Sequence, residues 1–136
     1  MQTPIDDGSD WSALHELSLV YLTLVYHPGR ARFPEEARSE GRTLVHETLR
    51  MWYPDASDER INRALQEALL VHISPMREQM LAIAVNSLRQ SMPRDQRIAV
   101  LSDLADLAME EGFVVPDEAS FIERLARDWD IERDVQ

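Results

Sequence analysis

Residues 97–131 read RIAVLSDLADLAMEEGFVVPDEASFIERLARDWDI, and this stretch decides the fold because it contains a helix, an acidic turn and a second helix. Apolar residues recur at helical spacing on both sides of the turn. They are Ile98, Leu101, Leu104, Ala105 and Ala108 in the first helix and Phe121, Ile122, Leu125, Ala126 and Trp129 in the second. Gly112 suits the left-handed conformation that ends a helix, and Pro116 suits the first position of the next. The stretch therefore predicts a helical hairpin.

Four acidic residues flank this turn. Glu110 and Glu111 end the first helix, where the helix dipole disfavours carboxylates, and Asp117 and Glu118 begin the second, where it favours them. Across a short turn the four carboxylates could converge, and hard divalent cations such as Ca²⁺, Mg²⁺ or Mn²⁺ bind oxygen ligands of this kind. The turn is not an EF-hand loop, because positions one and three of that pattern would be apolar side chains within the helix. The alternative is a turn whose acids are simply solvated.

Composition narrows the class of protein. The chain has 136 residues, of which 44% are hydrophobic, and this is the size of a single domain. It contains no cysteine, which excludes disulfides, thiolate metal sites and a cysteine nucleophile and leaves a cytoplasmic location as the default. The net charge of −11 argues against binding to nucleic acid or anionic membranes and suits cations or basic protein surfaces. The longest apolar run, residues 17–26, is about half of a membrane span.

The rest of the chain predicts four more helices. They begin near Ser9 or Asp10, Pro34, Ser57 and Ser74, and Pro93 opens the helix of the hairpin. The first helix, which ends at Tyr26, is apolar on most sides and should lie at the centre of a bundle. In the fourth helix we expect five residues to face inward: Met76, Met80, Leu81, Ala84 and Leu88.

No segment alternates between apolar and polar residues, so no strand is predicted. The fold class is therefore all-α, a compact bundle of about six helices with short connections. We expect one domain over residues 10–131, with a flexible N-terminal arm over 1–9 and a frayed tail over 132–136. Residues 26–37 and 109–119 both combine an apolar helix end, a Gly turn and a Pro-acid-acid-Ala segment, and this echo suggests two pseudo-repeated helix-turn-helix halves.

The turn also resembles a known family. The segment Glu-Gly-Phe-Val-Val-Pro-Asp-Glu, residues 111–118, is similar to the acidic turn of the TerB-like family, which is named for a tellurite-resistance protein and also occurs in DjlA-type co-chaperones. The resemblance implies two helical halves, divalent metal bound by acidic turn residues, and a role in stress response or membrane-linked complexes. By position, Glu111, Asp117 and Glu118 would be the metal-binding acids. The first copy departs from the pattern, since Pro28 replaces an acid there, and tellurite resistance as such does not follow.

Two further sets of residues are candidates for partner binding. Arg30 and Arg32, together with nearby arginines, form a basic patch that could hold a phosphate, an acidic partner or the acidic turn of a second copy. The alternative is that these arginines pair with neighbouring glutamates. Trp52 and Tyr53 could be an exposed aromatic anchor, although core packing at a helix end explains them equally well.

Other polar residues point more weakly to a site. Asp103, Asp106 and Glu110 share a helix face, which we expect to be solvated. The four histidines are scattered, so we expect boundary or surface positions for them rather than a metal site. These histidines are His15, His27, His46 and His72.

No nucleophile elbow or phosphate-binding loop occurs, so an enzyme is the least supported class. The sequence thus favours a non-enzymatic acidic interaction module, with the acidic turn as its candidate site for a divalent cation. The alternative function is a small metal-dependent hydrolase that uses the same carboxylates. An acidic protein that mimics nucleic acid is a third possibility.

Overall fold

The computed structural model describes residues 11–25, 35–109 and 116–131, with side chains for all of these except 35–41 and 116–118, and their regular structure is entirely α-helical. The prediction of an all-α compact bundle is confirmed. The helices of the described residues are α1 (Ala13–Val25), α2 (Glu35–Trp52), α3 (Asp58–His72), α4 (Arg77–Ser91), α5 (Arg94–Met109) and α6 (Pro116–Asp128). The arm and tail of the predicted domain division, and the turns of both predicted repeats, lie outside the described residues.

Local hydrogen bonds explain two of the helix starts. Ser57 caps α3, since its hydroxyl accepts the backbone N–H of Arg60 at 3.1 Å. We expected α4 to begin at Ser74, but it begins later because the chain first makes a tight turn. In that turn the Ser74 N–H donates to the carbonyl of Val71 at 3.0 Å, and the Ser74 hydroxyl accepts the N–H of Met76 at 3.1 Å.

Helix α1 is the centre of the bundle, as its apolar sequence predicts. All of its residues except Ala13 and Thr23 are buried, and it contacts α2, α3, α4 and α5. Helix α3 packs one apolar side inward, with Ile61 fully buried. A thirteen-residue helix is marginal alone in water, so packing on four sides is what stabilises α1.

Helix α6 closes the bundle against α4 and α5. Its predicted apolar stripe is buried throughout, from Phe121 to Trp129. The Trp129 side chain is fully buried, and its indole N–H donates to the carbonyl of Val85 in α4 at 2.9 Å. This bond links α6 directly to the backbone of α4.

Two residues that we predicted to face inward do not. Met76 is 48% exposed because it lies in the turn before α4 rather than within the helix. Ile98 is 44% exposed because the buried face of α5 is rotated toward Val100 and Leu107, which leaves Ile98 at its edge. Among the helices that the structure describes, none combines the length and apolar character that crossing a membrane requires.

Candidate functional site

An open groove with a volume of about 800 Å³ runs between α4 and α6. Its apolar residues on α6 are Phe121 and Leu125, which are buried, and its α4 side adds Leu81 and Val85, which are half-buried. Ligand-binding clefts in proteins usually measure roughly 300–1,000 Å³ and have mainly apolar linings. The size of the groove fits a binding site, whereas its lining is mixed, because polar and charged side chains outnumber its five apolar residues.

The spacing of residues along α4 explains the shape of the groove. Arg77, Leu81, Val85 and Arg89 follow one another at intervals of four, so they form one ridge along the helix. The thirteen residues from the first arginine to the last span ~18 Å at the rise of an α-helix. The groove is thus a trough along most of α4, with an arginine at each end of its wall.

The groove is positively charged although the chain is acidic. Four arginines line it, against two carboxylates, those of Glu78 and Asp128, which leaves a net charge of +2. The whole chain carries −11. Clustered charge beside an apolar, low-dielectric surface raises the local concentration of ligands of opposite sign. The arginines are Arg77, Arg89, Arg124 and Arg127.

These four arginines differ in whether they form ion pairs within the protein. Arg89 forms an ion pair with the carboxylate of Asp130, and Arg77 lies 3.9 Å from the carboxylate of Glu78, which is 90% exposed. Among the described side chains, neither Arg124 nor Arg127 forms an ion pair. These two guanidinium groups lie three residues apart on α6 and are exposed, so both can reach an anion in the groove.

The side chains of the predicted cation site lie outside the described part of the chain. Glu110 and Glu111 lie outside the described residues, and Asp117 and Glu118 belong to the first turn of α6, where only the backbone is described. Within the described residues, no group of three or more His, Asp or Glu side chains could hold a metal ion. The cation site at the turn stays a prediction. The same is true of the partner-binding role of Arg30 and Arg32, which also lie outside the described residues.

Trp52 and Tyr53 are half-buried and pack against the core. The Trp52 indole N–H lies 3.0 Å from both the hydroxyl of Tyr21 and a carboxylate oxygen of Asp103. Burial raises the pKa of the Tyr53 hydroxyl, and the nearby Arg60 opposes this shift. The core-packing alternative accounts for these contacts, and the role of the pair as a partner anchor stays a prediction.

Asp103 corrects one of our expectations, because it is not part of a solvated face. It is half-buried and accepts the Tyr21 hydroxyl at 2.8 Å in addition to the Trp52 indole, so the three side chains form a polar triangle that joins α1, α2 and α5. Burial and the Asp103 charge raise the pKa of Tyr21. Asp106, one turn further along α5, is exposed as expected. The missed signal is that a buried Tyr and a Trp each need a hydrogen-bond partner.

The expected boundary or surface positions are wrong for two histidines, since His15 and His72 are buried. The imidazole of His15 bridges Ser12 and Glu67: its Nδ1 lies 2.9 Å from the Ser12 hydroxyl, and its Nε2 lies 2.5 Å from the Glu67 carboxylate. The Ser12 backbone N–H also donates to Nδ1 at 3.2 Å, which makes this a local contact at the start of α1. His72 lines the groove at the end of α3.

Glu16 is a second buried polar residue on α1. Its carboxylate accepts the hydroxyl of Ser87 in α4 at 3.0 Å. Burial raises the pKa of Glu16, while the Ser87 hydrogen bond and the adjacent His15 oppose this shift. The sequence offered no sign of this carboxylate, because it lies in a helix whose other positions are almost all apolar.

Sequence reasoning also missed the groove. The basic residues of α6 alternate with its apolar stripe, which is typical of an ordinary amphipathic helix. Only the pairing of α6 with α4 brings the four arginines together, and that pairing is not visible in either helix alone. No family model, curated protein or solved structure matches this chain, so its resemblance to the TerB-like family stays a prediction.

Proposed function

We propose that this chain is a non-enzymatic helical interaction module, and that its groove between α4 and α6 binds an acidic, amphipathic segment of a partner protein. One observation carries the proposal: four arginines and an apolar surface line a single groove on a chain whose net charge is −11. The TerB-like resemblance is compatible with a module of this kind, and a stress-response role remains part of the proposal on that resemblance alone.

The chemistry of the lining selects the occupant. Guanidinium groups pair with carboxylates through planar, often bidentate hydrogen bonds. The apolar surface formed by Phe121 and Leu125 would receive the apolar side chains of the same segment. A purely apolar helix would leave Arg124 and Arg127 without anionic partners, and a purely acidic one would leave the apolar surface open to water. An amphipathic acidic segment satisfies both.

The length of the groove favours a polypeptide over a compact small molecule. Its α4 wall runs from Arg77 to Arg89, which matches a helix of about twelve residues lying in the trough. Proteins commonly recognise partners by laying an amphipathic helix into such an apolar groove. The arginines at the two ends would then fix the position of the segment along the trough.

The strength of binding follows from the exposure of the charged groups. Ion pairs at exposed positions contribute only about 0.2–1 kcal/mol each, so most of the affinity must come from the apolar contacts. We therefore expect weak to moderate affinity that falls as salt is added, because ions screen exposed charges beyond ~8–10 Å.

Divalent cation binding remains a second part of the proposal. Asp117 and Glu118 belong to the first turn of α6, the same helix that forms one wall of the groove. A cation held by these residues together with Glu110 and Glu111 would stabilise the start of α6. Cation binding and groove binding would in that case be coupled through one helix.

Fluorescence polarisation tests the groove. The probe is a labelled amphipathic peptide of about twelve residues, with leucine at helical spacing and glutamate elsewhere. We expect binding to wild type and a loss of at least about tenfold in the Arg124→Glu, Arg127→Glu double variant, since two attractions become repulsions.

Two controls accompany the measurement. Arg63→Glu changes an exposed arginine of α3 that does not line the groove. Its affinity for the peptide should stay within about twofold of wild type, because only the overall charge of the protein changes and distant charges are screened by salt. A peptide with lysine in place of glutamate should not bind. Equal losses in the groove variant and in the Arg63 variant would show that the groove is not the binding site.

A further inference from the structure

We propose that Asp130 is an intramolecular competitor for the groove: its carboxylate occupies Arg89, and the acidic partner segment displaces it on binding. This inference rests on the proposed function, because it concerns how the same groove is regulated. It assigns to Asp130 a role in setting affinity that is separate from its place in the fold.

The turn after α6 places the Asp130 carboxylate against Arg89. Asp130 has φ 59° and is the one non-glycine residue among those described that has a positive φ. Asp tolerates this left-handed conformation better than most residues. The N–H of Ile131 then donates to the carbonyl of Ala126 at 2.8 Å, which closes the helix end. In this conformation the Asp130 carboxylate pairs with Arg89, which lines the groove.

The backbone of this turn is held without the carboxylate. Arg97 donates to the carbonyl of Trp129 at 2.7 Å, and Arg94 donates to the carbonyl of Asp130 at 3.1 Å. The buried Trp129 indole adds its hydrogen bond to α4. The Asp130 side chain can therefore leave Arg89 while the main chain stays in place.

Binding of the partner would exchange one carboxylate for another at Arg89. A partner carboxylate would replace the Asp130 carboxylate, so Arg89 keeps one anionic partner throughout. The two side chains are 45% and 67% exposed, so an incoming carboxylate can reach the pair from solvent. Asp130 thus lowers the affinity of the groove for any anion that needs Arg89.

The test compares Asp130→Asn with Asp128→Asn in the same polarisation assay at low ionic strength. Both variants remove one negative charge close to the groove, but only the first releases Arg89. Asn also tolerates a positive φ. We expect Asp130→Asn to bind the glutamate peptide about two- to fivefold more tightly than wild type, as loss of an exposed ion pair implies, and Asp128→Asn to show a smaller gain.

A double-mutant cycle shows whether the gain in affinity depends on Arg89. In an Arg89→Ala background the gain from Asp130→Asn should disappear, because no guanidinium remains to be released. If thermal unfolding shows that Asp130→Asn does not fold, Asp130→Gly replaces it, since glycine is the residue best suited to this φ.

The outcomes separate the two proposals. Equal gains in the Asp128 and Asp130 variants, or a gain that persists without Arg89, would overturn the role of Asp130. The proposed function would still stand if binding is lost in the Arg124, Arg127 variant. If neither wild type nor Asp130→Asn binds the glutamate peptide, both proposals fail.

Discussion

Replacing Asp103 by alanine should destabilise the fold strongly, although the residue is a charged side chain that is only half-buried. Its carboxylate accepts hydrogen bonds from Tyr21 at 2.8 Å and from Trp52 at 3.0 Å. In the variant the buried Tyr21 hydroxyl keeps Trp52 as a donor but has no acceptor for its own proton. The polar triangle would lose the member that joins α5 to the other two helices.

The size of the effect can be estimated from these two bonds. Hydrogen bonds to a charged group contribute about 1.5–3 kcal/mol each, and the half-buried position of Asp103 favours the lower value. Two bonds therefore give a loss of about 3 kcal/mol in the free energy of unfolding, a large part of the ~5–15 kcal/mol typical of a domain. For a chain of this size we expect Tm to fall by about 10 °C.

Urea unfolding followed by circular dichroism measures this loss, and Asp106→Ala is the matched control. Asp106 lies on the same helix, is exposed, and its removal changes the net charge equally. We expect that control to stay within about 0.5 kcal/mol of wild type. Tyr21→Phe should cost less than Asp103→Ala, and in combination the two should be less than additive. If the Asp103 and Asp106 variants unfold at the same urea concentration, the polar triangle does not stabilise the bundle.

The remaining predictions concern pH and cations. Burial raises the pKa of the Glu16 carboxyl above 4.5, so this group stays protonated to higher pH in the folded state than in the unfolded chain. The protonated carboxyl therefore contributes to stability at acidic pH, and this contribution is lost as pH rises through the raised pKa. Glu16→Gln should flatten this decline in urea unfolding measured from acid to neutral pH, whereas Glu123→Gln, an exposed substitution, should not. A cation at the turn, at a hundred times its Kd, should add ~2.7 kcal/mol to stability at fixed ionic strength relative to chelator. Glu118→Gln should abolish that gain in thermal unfolding, and an equal gain in both proteins would exclude the site.

Much of the fold was predictable because helical periodicity is local. The central position of α1 follows from a helix that is apolar on most sides, and the buried face of α6 follows from five residues at helical spacing. The wrong predictions concern residues at the edge of a buried helix face. Ile98 fits the apolar period of α5, yet a small rotation of the helix exposes it, and such a rotation depends on neighbours that the pattern does not identify.

The sites were harder to predict because they depend on which helices pack together. Asp103 shares a face with an exposed aspartate, and what distinguishes it is its hydrogen bond with Tyr21, 82 positions earlier in the sequence. The groove combines arginines from α4 and α6 that lie far apart in sequence. A cluster of acids at 110–118 is visible in the sequence, whereas a cluster of arginines assembled by packing is not.

The central position of α1 has a consequence for synthesis. This helix leaves the ribosome before the helices that cover it, and α3 and α4, which cover two of its sides, are complete only at Ser91, 66 residues after Val25. At ~5–20 residues per second, the nascent chain exposes an apolar helix for roughly 3–13 s before those partners exist. Chaperones that bind apolar segments should therefore contact α1 early and release it once α4 has emerged. The helix that becomes most deeply buried is the one that needs protection for longest during translation.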